Sequence, residues 1–359
     1  MSRKRILFLL PAPPEPPDAG AKLRNLGLLH AAAAEHQVDV LAFRRPPVRS
    51  SPRRLRDALR SGLPDMALRL WSPRLAAEVR HRLSSASYDL VQAEGIEMAA
   101  YLNNVPPAQR AYDAHNPEAL LQWRRLERFE RAVVRGSRLT LAVSYHDANQ
   151  LEALAGRVVH VVPSGIDVER FCFEQPSEDD QPNLLFVGKL DYRPNAEALR
   201  WLIGHVLPRL FEQAPRARLF AVGADPPPWL VSAGQRDQRI AVTGAVADER
   251  PYLRRAALLL LPLEVAAGSR LKALVALASG LPIVSSPIGM EGLEASPGEH
   301  YACVPELEPA AWAAALAGLL SDPAQRQQIA LAGRKLVEQR YSWEAVAPAL
   351  YAAYAELTP

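Results

Sequence analysis

Gly268, Ser269, Arg270 and Lys272 stand together in a stretch that could hold a phosphate. They follow the apolar run "ALLLLPL" and open a helical pattern that stops at Gly280. Backbone N–H groups at a helix start, together with the positive end of the helix dipole, bind anions. Arg270 can add a forked donor and Lys272 a point charge. A capped helix with solvated basic residues is the alternative interpretation.

Polar residues also follow two apolar runs in the first half of the chain. Asp113, His115 and Asn116 lie where a strand gives way to a helix in "YDAHNPEALL", and Glu94 and Glu97 hold the same place in "AEGIEMAAYL". Ligands of open parallel sheets bind at the carboxyl ends of the strands, so these residues are candidates for hydrogen-bonding or acid–base chemistry. A hydrogen-bonded loop histidine and two helix-capping glutamates are the alternatives.

Two further loops connect a strand to a helix. In "FVGKLDYRPNAEAL", Lys189 and Arg193 can reach an anion, and Pro194 suits an early helical position. In "PAPPEPPDAGAKLRN", a proline-rich loop leads to Gly20, which would let a ligand or a facing backbone approach closely. A plain turn before a helix is the alternative for Gly20.

The elements that must position these loops are short apolar strands that alternate with helical patterns. The first set is "RILFLL", "QVDVLAF", "YDLVQAE", "RAYDA", "LTLAVS" and "VVHVVP". The second set is "NLLFVG", "RLFAVG", "RIAVTG", "ALLLLPL", "LPIVSS" and "YACVP". Continuous apolar strands separated by helices predict a parallel sheet covered on both faces. Two such sets predict an α/β protein with two Rossmann-like, doubly wound domains that face each other across a cleft.

Bulk composition narrows the class of protein. A chain of 359 residues with 49% hydrophobic content has room for about two ordinary globular domains. A net charge of +3 is too small to imply a nucleic-acid partner, and two cysteines give no disulfide framework, which suits the cytoplasm. The first apolar run stops at Pro11, too early for a signal peptide or a membrane span. The dinucleotide, P-loop, nucleophile-elbow and zinc-protease motifs are absent from the sequence.

The segment from Arg44 to Arg82 is strongly basic. It holds eleven arginines against Asp57, Asp65 and Glu78, with leucines interleaved. A solvated helical surface is one interpretation. The other is a basic amphipathic face that rests on anionic lipid at the inner face of the cell membrane.

In order along the chain, several motifs resemble family 4 glycosyltransferases of the GT-B fold. They are "PPDAGAKLRN", "YDLVQAEGIEMAAYL", "AYDAHNPEALL", "VVPSGIDVERF", "FVGKLDYRPNAEALRWL", "VTGAVADERPYLRRAALLLLPL" and "GSRLKALVALASGLPIVSSPIGMEGL". The resemblance is to the bacterial sugar-transferase branch with a "G-x-x-D-Y-x-P-N" loop, and it covers nearly the whole chain. It predicts an acceptor-side domain over residues 1–165 and a donor-side domain over 166–340. The stretch "YSWEAVAPALYAAYAEL" resembles the family's closing helix, which places a helix over 341–359 on the N-terminal domain.

The resemblance implies that a sugar moves, with retention of configuration, from a nucleotide-sugar donor to an acceptor hydroxyl. Neither a metal nor a cofactor is implied, and the acceptor would be a glycan, a lipid-linked molecule or a small molecule. The departing diphosphate is expected to take the acceptor proton. The protein would then stabilise the charge that grows on the leaving phosphate and align the two substrates.

The family's residue roles carry over position by position. The predicted catalytic residues are His115, near the histidine that faces the transferred sugar; Lys189, where a phosphate-binding arginine is usual; and Arg270 and Lys272. The predicted donor-binding residues are Gly20, Thr243, Val246, Tyr252, Glu264, Gly268, Ser269, Val275 and Glu291. The predicted acceptor-binding residues are Glu94, Glu97, Asp113 and Asn116.

The chain departs from the family at its Glu-x7-Glu pattern. Alignment on "RLKALVALASG" places Ala267 and Val275 at the two glutamates, the second of which commonly binds the ribose hydroxyls. Pro194 stands where a second phosphate-binding lysine is usual. We therefore expect backbone groups and Glu264 or Glu291 to hold the nucleotide.

Two other functions compete with transfer. A non-catalytic, degenerate GT-B protein that binds a sugar or a protein partner is supported by Val275, and opposed by the joint presence of the basic corner, Lys189 and His115. A GT-B epimerase would need an acid–base pair of carboxylates. Glu94 and Glu97 are the only such pair in evidence, and their loop suits an acceptor site better.

Overall fold

The computed structural model describes residues 3–17, 20–47, 51–117, 124–173, 182–265 and 270–356. Its contacts form two compact units. Unit 1 comprises Met1–Gly165 and Trp343–Pro359, and unit 2 comprises Ile166–Ser342.

Unit 1 is built on a six-stranded parallel sheet of order β2-β1-β3-β4-β5-β6. Its strands are β1 (Arg5–Leu10), β2 (Gln37–Ala42), β3 (Leu90–Glu94), β4 (Arg110–Ala114), β5 (Leu139–Ala142) and β6 (His160–Val161). Its α-helices are α1 (Gly20–Glu35), α2 (Ser51–Ser61), α3 (Asp65–Arg69), α4 (Pro73–Ser85), α5 (Ile96–Ala99), α6 (Arg124–Gly136), α7 (Tyr145–Ala155) and, far along the chain, the closing helix (Trp343–Ala355).

The closing helix completes one face of the unit 1 core. Its Val346, Leu350 and Tyr354 are buried in one apolar cluster with Leu28 of α1 and Phe8 of β1. The helix therefore belongs to unit 1 through packing, although unit 2 separates it from the rest of unit 1 in sequence.

Unit 2 repeats the architecture with the strand order β12-β11-β10-β7-β8-β9, again all parallel. Its strands are β7 (Asn183–Val187), β8 (Arg218–Val222), β9 (Ile240–Gly244), β10 (Leu258–Leu261), β11 (Ile283–Ser285) and β12 (Ala302–Cys303). Its helices are α8 (Arg193–Trp201), which continues as a π-helix over Leu202–Val206, α9 (Leu207–Gln213), α10 (Pro228–Arg236), α11 (Arg250–Arg255), α12 (Leu271–Ala278), α13 (Pro309–Ser321) and α14 (Pro323–Arg340). The closing helix is α15.

These two sheets confirm the predicted fold class. The central strands β3, β7 and β10 are buried along their whole length, as expected for parallel strands covered on both faces. The last strand of each sheet is shorter than its apolar run, with two residues each in β6 and β12. Each of these edge strands pairs with one neighbour, so fewer ladder bonds hold it. None of the helices among the described residues has the length and apolar character that a membrane span requires.

Candidate active site

Each sheet has one place where the chain leaves two adjacent strands in opposite directions. In unit 1 that place lies between β1 and β3, and in unit 2 between β7 and β10. The loops at the carboxyl ends of such a pair diverge and leave a crevice in which ligands of doubly wound sheets bind. Most of the predicted site residues lie on the loops and helices that follow these strands and their neighbours.

In unit 1, a buried ion pair lies at the end of β4. Arg24 of α1 binds Asp113 through two parallel hydrogen bonds, Nε to Oδ2 at 2.9 Å and Nη2 to Oδ1 at 2.8 Å. Arg24 is 1% exposed and Asp113 is fully buried. The fork geometry satisfies both groups, which is the condition for burying opposite charges without a large penalty.

A second buried chain of hydrogen bonds ends on Glu94 of β3. The Tyr354 hydroxyl of α15 donates to Gln92 Oε1 at 2.8 Å, and Gln92 Nε2 donates to Glu94 Oε1 at 2.7 Å. Burial raises the pKa of Tyr354 well above its usual value, so the hydroxyl keeps its proton. In the amide orientation that satisfies its neighbours, Asn25 Nδ2 donates to Glu94 Oε2 at 3.1 Å.

His115 joins the two buried carboxylates. Its Nε2 lies 3.2 Å from Glu94 Oε2 and 3.5 Å from Asp113 Oδ2. Burial alone would lower the pKa of His115, but hydrogen bonds and charge from Asp113 and Glu94 outweigh it and raise the pKa to about 9. His115 is therefore an imidazolium at neutral pH, which suits it to donate hydrogen bonds rather than to accept a proton.

The charges of this cluster compensate one another. Burial would raise the pKa of Asp113, but Arg24 and His115 hold it well below its usual range. Burial, helped by the charge of Asp113, raises the pKa of Glu94 to about 7. Glu94, Asp113 and His115 place possible ligand atoms within 4.8 Å of one another, as a metal site would. The guanidinium of Arg24 already occupies both oxygens of Asp113, so this cluster fits an internally neutralised network better than a metal site.

The remaining acceptor-side predictions lie beside this cluster. Asn116 directly follows His115 and is half-buried. Glu97 lies on α5, where its Oε1 is 3.9 Å from Arg69 Nη1. Glu94 and Asp113 have their partners inside unit 1, whereas Glu97 and His115 keep 28% and 17% of their side chains exposed.

In unit 2, the half-buried Lys272 lies beside the loop that follows β7. Lys272 Nζ donates to Asn195 Oδ1 at 3.0 Å, and Asn195 Nδ2 donates to the Lys189 carbonyl oxygen at 2.8 Å. The ammonium also lies 5.5 Å from the ring centre of Phe186. Burial, and then repulsion from Arg270, lower the pKa of Lys272 to about 8. An anion at this position would recover the charge interactions that the burial of Lys272 has cost.

Lys189 lies on the same loop, with its side chain 59% exposed. Its Nζ binds Asp191 Oδ1 at 2.8 Å and lies 3.2 Å from Asp225 Oδ2. Gly188 just before it has a φ of 143°, and a Cβ there would lie 3.3 Å from Lys272 Nζ and 3.0 Å from Asn195 Nδ2. Glycine at 188 therefore lets the two polar heads approach the loop backbone.

Arg270 immediately precedes α12 in a left-handed conformation, with φ of 47° and ψ of 24°. Its Nη2 lies 3.3 Å from Glu291 Oε2, and its side chain is only 9% exposed. Strained non-glycine residues of this kind cluster at ligand sites. Glu264 is exposed after β10. Gly268 and Ser269, like Ala267, lie outside the described residues.

The other donor-side predictions take up scattered positions. Val275 is 2% exposed within α12. Thr243 and Val246, half-buried, lie at and just after the end of β9, and Tyr252 of α11 stacks edge-on against Phe220 with ring centres 6.1 Å apart. Gly20, exposed, opens α1 in unit 1. Among the described residues, Lys189, Arg270, Lys272 and Glu291 are therefore connected by direct contacts or by a shared neighbour. The residues named in this paragraph make no contact described here with that group.

Sequence reasoning missed four residues that organise the two groups: Arg24, Gln92, Tyr354 and Asn195. Each is a polar residue, buried or fully enclosed, within an element that otherwise packs apolar side chains. A charged residue such as Arg24, inside the apolar pattern of "KLRNLGLL", was the available signal, because arginine is almost never fully buried without a partner.

Two protein-family models match this chain, one over most of unit 1 and one over most of unit 2. A model described as Glycosyltransferase Family 4 matches residues 23–170, and a model described as Glycosyl transferases group 1 matches residues 181–322. The glycogen synthase of Mycobacterium tuberculosis is 30% identical over 205 residues, which are 55% of this chain and 48% of that protein. The chain thus matches about half the length of this relative.

Solved structures share the fold over nearly the whole chain. The sucrose-phosphate synthase of Thermosynechococcus elongatus superposes with a TM-score of 0.76 at 20% identity and 99% coverage of both chains. Anabaena HepE in complex with UDP-glucose superposes with a TM-score of 0.71 at 16% identity, covering 99% of this chain and 100% of that one. The chain therefore has the GT-B fold of these structures, and its residues 23–170 and 181–322 match a Glycosyltransferase Family 4 model and a Glycosyl transferases group 1 model, respectively.

Proposed function

We propose that this chain is a retaining hexosyltransferase that moves a sugar from a nucleotide-sugar donor to an acceptor hydroxyl. The two glycosyltransferase domains support the reaction class. The acceptor would be a glycan, a lipid-linked molecule or a small molecule.

The observation that carries the proposal is the group of cations at the crevice of unit 2. Lys189 follows β7, while Arg270 and Lys272 begin the helix that follows β10, and these two strands are adjacent. Departure of a nucleoside diphosphate places growing negative charge on its terminal phosphate. Cations held in place before the reaction stabilise that charge, and losing one such contact typically costs a factor of 10² to 10³ in rate.

Side chains can supply the positive charge that a metal ion provides in other transferases. Lys272 is anchored by Asn195 and by the Phe186 ring, so its position is set before any ligand arrives. We propose that transfer needs neither a divalent metal nor a cofactor. Activity that survives an excess of chelator supports this, and activity that returns only with added Mg²⁺ or Mn²⁺ contradicts it.

UDP-glucose is the first donor to test, because HepE, which has the same fold, has been crystallised with it. The chain should be assayed with UDP-, GDP-, ADP- and dTDP-sugars for release of free nucleotide, with and without simple sugar acceptors. Anomeric configuration of the product, followed by NMR, tests retention.

The matched variants are Arg270→Ala and, as control, Arg209→Ala. Arg209 is an exposed arginine of the same unit, on α9, whose Nη1 donates to the His205 carbonyl oxygen. We expect a loss of turnover in the first variant and none in the second. Equal turnover in both would contradict the assignment of the cation group.

A non-catalytic sugar- or partner-binding protein is the second candidate. Buried Val275 stands where the family has a glutamate, and Lys189 is already held by Asp191 and Asp225. This candidate predicts nucleotide or sugar binding in a thermal-shift assay without turnover of any donor.

We also propose that the chain works in the cytoplasm and contacts anionic membrane through α2. Leu59 of this helix is 68% exposed in an arginine-rich sequence. An exposed apolar side chain among arginines suits the boundary between lipid headgroups and acyl chains.

A further inference from the structure

The closing helix carries a buried hydroxyl group, on Tyr354, that its packing does not require. Tyr354 is fully buried and lies in the apolar cluster that contains Phe8 and Leu28. A phenylalanine would fill the same space among these neighbours, whereas a buried hydroxyl costs free energy unless it finds a partner. The partner is Gln92 of β3, whose Oε1 accepts from the Tyr354 hydroxyl at 2.8 Å. The hydroxyl therefore acts on β3, from 262 positions away in the sequence.

The side-chain amide of Gln92 has a fixed direction. Gln92 and Glu94 are two positions apart on β3, so their side chains lie on the same face of the strand, and Gln92 Nε2 donates to Glu94 Oε1 at 2.7 Å. A carboxylate only accepts hydrogen bonds, which requires the NH2 end of the amide to point at Glu94. The carbonyl end then points at Tyr354, whose hydroxyl keeps its proton because burial raises its pKa well above the usual value. Tyr354 thus holds the amide in the orientation that Glu94 needs.

Glu94 passes this restraint on to His115. Its Oε1 is held by Gln92, and its Oε2 lies 3.2 Å from His115 Nε2 and accepts from Asn25 Nδ2 at 3.1 Å. A donor that bonds the charged form of a carboxylate lowers the pKa of that carboxylate. Burial, and then the charge of Asp113, have already raised the pKa of Glu94 to about 7, so its charge is easily lost at neutral pH. Without the donor on Oε1, Glu94 would become neutral and His115 would lose one of its two carboxylate partners.

We propose that Tyr354 is a positioning residue which, through Gln92, holds the Glu94 carboxylate against the imidazole of His115. Tyr354 is fully buried, so it acts through the two side chains of β3 and not by touching a substrate. The closing helix thereby sets the charge and the orientation of a candidate catalytic residue at the end of β4. The proposal rests on the proposed transferase function for the role of His115.

Tyr354→Phe removes the hydroxyl and keeps the ring, and Tyr351→Phe is its matched control. Tyr351 lies three residues earlier on the same helix, and its hydroxyl donates to the Ala31 carbonyl oxygen at 3.0 Å. Each variant therefore removes one hydrogen bond between the closing helix and the rest of unit 1. The pKa of His115 is read by NMR from its Cε1–H signal, which His115→Gln assigns among the eight histidines. We expect this pKa to fall by at least about 0.5 in Tyr354→Phe and to change by less than about 0.2 in Tyr351→Phe.

The charged groups that face this chain of hydrogen bonds are the same in both variants. Arg24 and Asp113 form their ion pair beside His115, with Asp113 Oδ2 at 3.5 Å from His115 Nε2. The His36 ring lies 5.6 Å from the Tyr354 ring, which both variants retain. A difference between the two titrations of His115 therefore reports on the hydroxyl of Tyr354.

A double-mutant cycle tests the route through Gln92. Gln92→Met keeps the length of the side chain and removes both polar ends of the amide. If Tyr354 acts through Gln92, adding Tyr354→Phe to Gln92→Met lowers the pKa of His115 no further. The double variant leaves neither the hydroxyl nor the amide unpaired, so it should show the fall in pKa even if Tyr354→Phe alone does not fold. Additive changes in the pKa, or a folded Tyr354→Phe protein that titrates like wild type, overturn the proposal.

The titration needs no substrate, so it separates this proposal from the proposed function. In an active enzyme, kcat/KM for transfer should fall at least about fivefold in Tyr354→Phe and stay within about twofold in Tyr351→Phe, because a catalytic group that is held less firmly aligns less often. A lowered pKa of His115 in a protein that turns over no donor retains the positioning role and removes the transferase. Transfer by Tyr354→Phe at the wild-type rate retains the transferase and overturns the positioning role.

Discussion

Protonation of His115 should make the stability of this protein depend on pH in a defined window. Its pKa is about 9 in the folded protein against an ordinary value of 6.5, because hydrogen bonds and charge from Asp113 and Glu94 outweigh burial. A group whose pKa is raised by folding stabilises fully below its unfolded pKa, and this contribution is lost as the pH rises through its folded pKa. At about 1.4 kcal/mol for each pKa unit, the loss between pH 6.5 and 9 is on the order of 3 kcal/mol.

Two other buried groups titrate outside or at the edge of this window. Burial, followed by the charge of Asp113, raises the pKa of Glu94 to about 7, so its contribution is lost mainly between pH 4.5 and 7. Burial lowers the pKa of His36, so its effect appears as the pH falls below 6.5, with the opposite sign. Lys272 titrates inside the window with the opposite sign, because burial and then Arg270 lower its pKa to about 8, and stability rises with pH between that value and its ordinary 10.5. Between pH 7 and 9, the difference in slope between wild type and a His115 variant therefore reports on His115.

Urea unfolding at pH 6.5, 7, 8 and 9, followed by circular dichroism, measures the effect. We expect wild type to lose about 2 kcal/mol more than the His115→Gln variant between pH 7 and 9, because the opposing contribution of Lys272 is common to both proteins. The NMR titration of His115 in wild type is a direct check that needs no variant. Equal slopes in both proteins, or a titration of His115 near pH 6.5, would refute the reasoning.

Three further predictions concern unit 2 and the basic helix. Lys272→Met and Arg270→Ala should each lower kcat about 10²-fold in a folded protein, and near-normal turnover in both variants would contradict this assignment. In wild type, kcat/KM for the donor should fall above about pH 8 as Lys272 loses its proton. Without ligand, Val275→Glu should be less stable than wild type, because it buries a carboxylate. In calorimetric titrations it should bind UDP and GDP at least as tightly as wild type does, with the smallest gain in affinity for dTDP. An equal loss of affinity for all three nucleotides would mean that residue 275 does not face the ribose. Binding to anionic vesicles should exceed binding to neutral ones and weaken with salt, and equal negligible binding would leave α2 as a solvated surface.

The strands, and the strand ends at which candidate site residues lie, could be predicted from the sequence. "RAYDA" is β4, residue for residue, and Asp113 and His115 lie at its carboxyl end as expected. The run "ALLLLPL", which contains β10, is recognisable because a parallel strand buried on both faces needs apolar residues along its whole length. Lys189 and Lys272 were each predicted as catalytic residues, and Asn195 links Lys272 to the Lys189 backbone in the structure.

The partners of these residues could not be predicted. Arg24 meets Asp113 across 89 positions of sequence, and Tyr354 meets Gln92 across 262. Periodicity indicates which face of a helix is apolar, but it does not indicate which strand that face will cover. The role of His115 as an imidazolium was hidden for the same reason, since it depends on two carboxylates from different strands that only the fold brings together.

The discontinuity of unit 1 has a consequence for biosynthesis. Unit 2 is one continuous stretch, whereas the apolar face formed by Phe8 and Leu28 is covered by residues made after all of unit 2. On the ribosome, unit 2 therefore has its complete chain before unit 1 does. Until Val346 and Tyr354 emerge, the nascent first sheet exposes an apolar surface and Gln92 lacks its tyrosine partner. Such a folding order favours chaperone binding and makes the last helix the step that closes the histidine cluster.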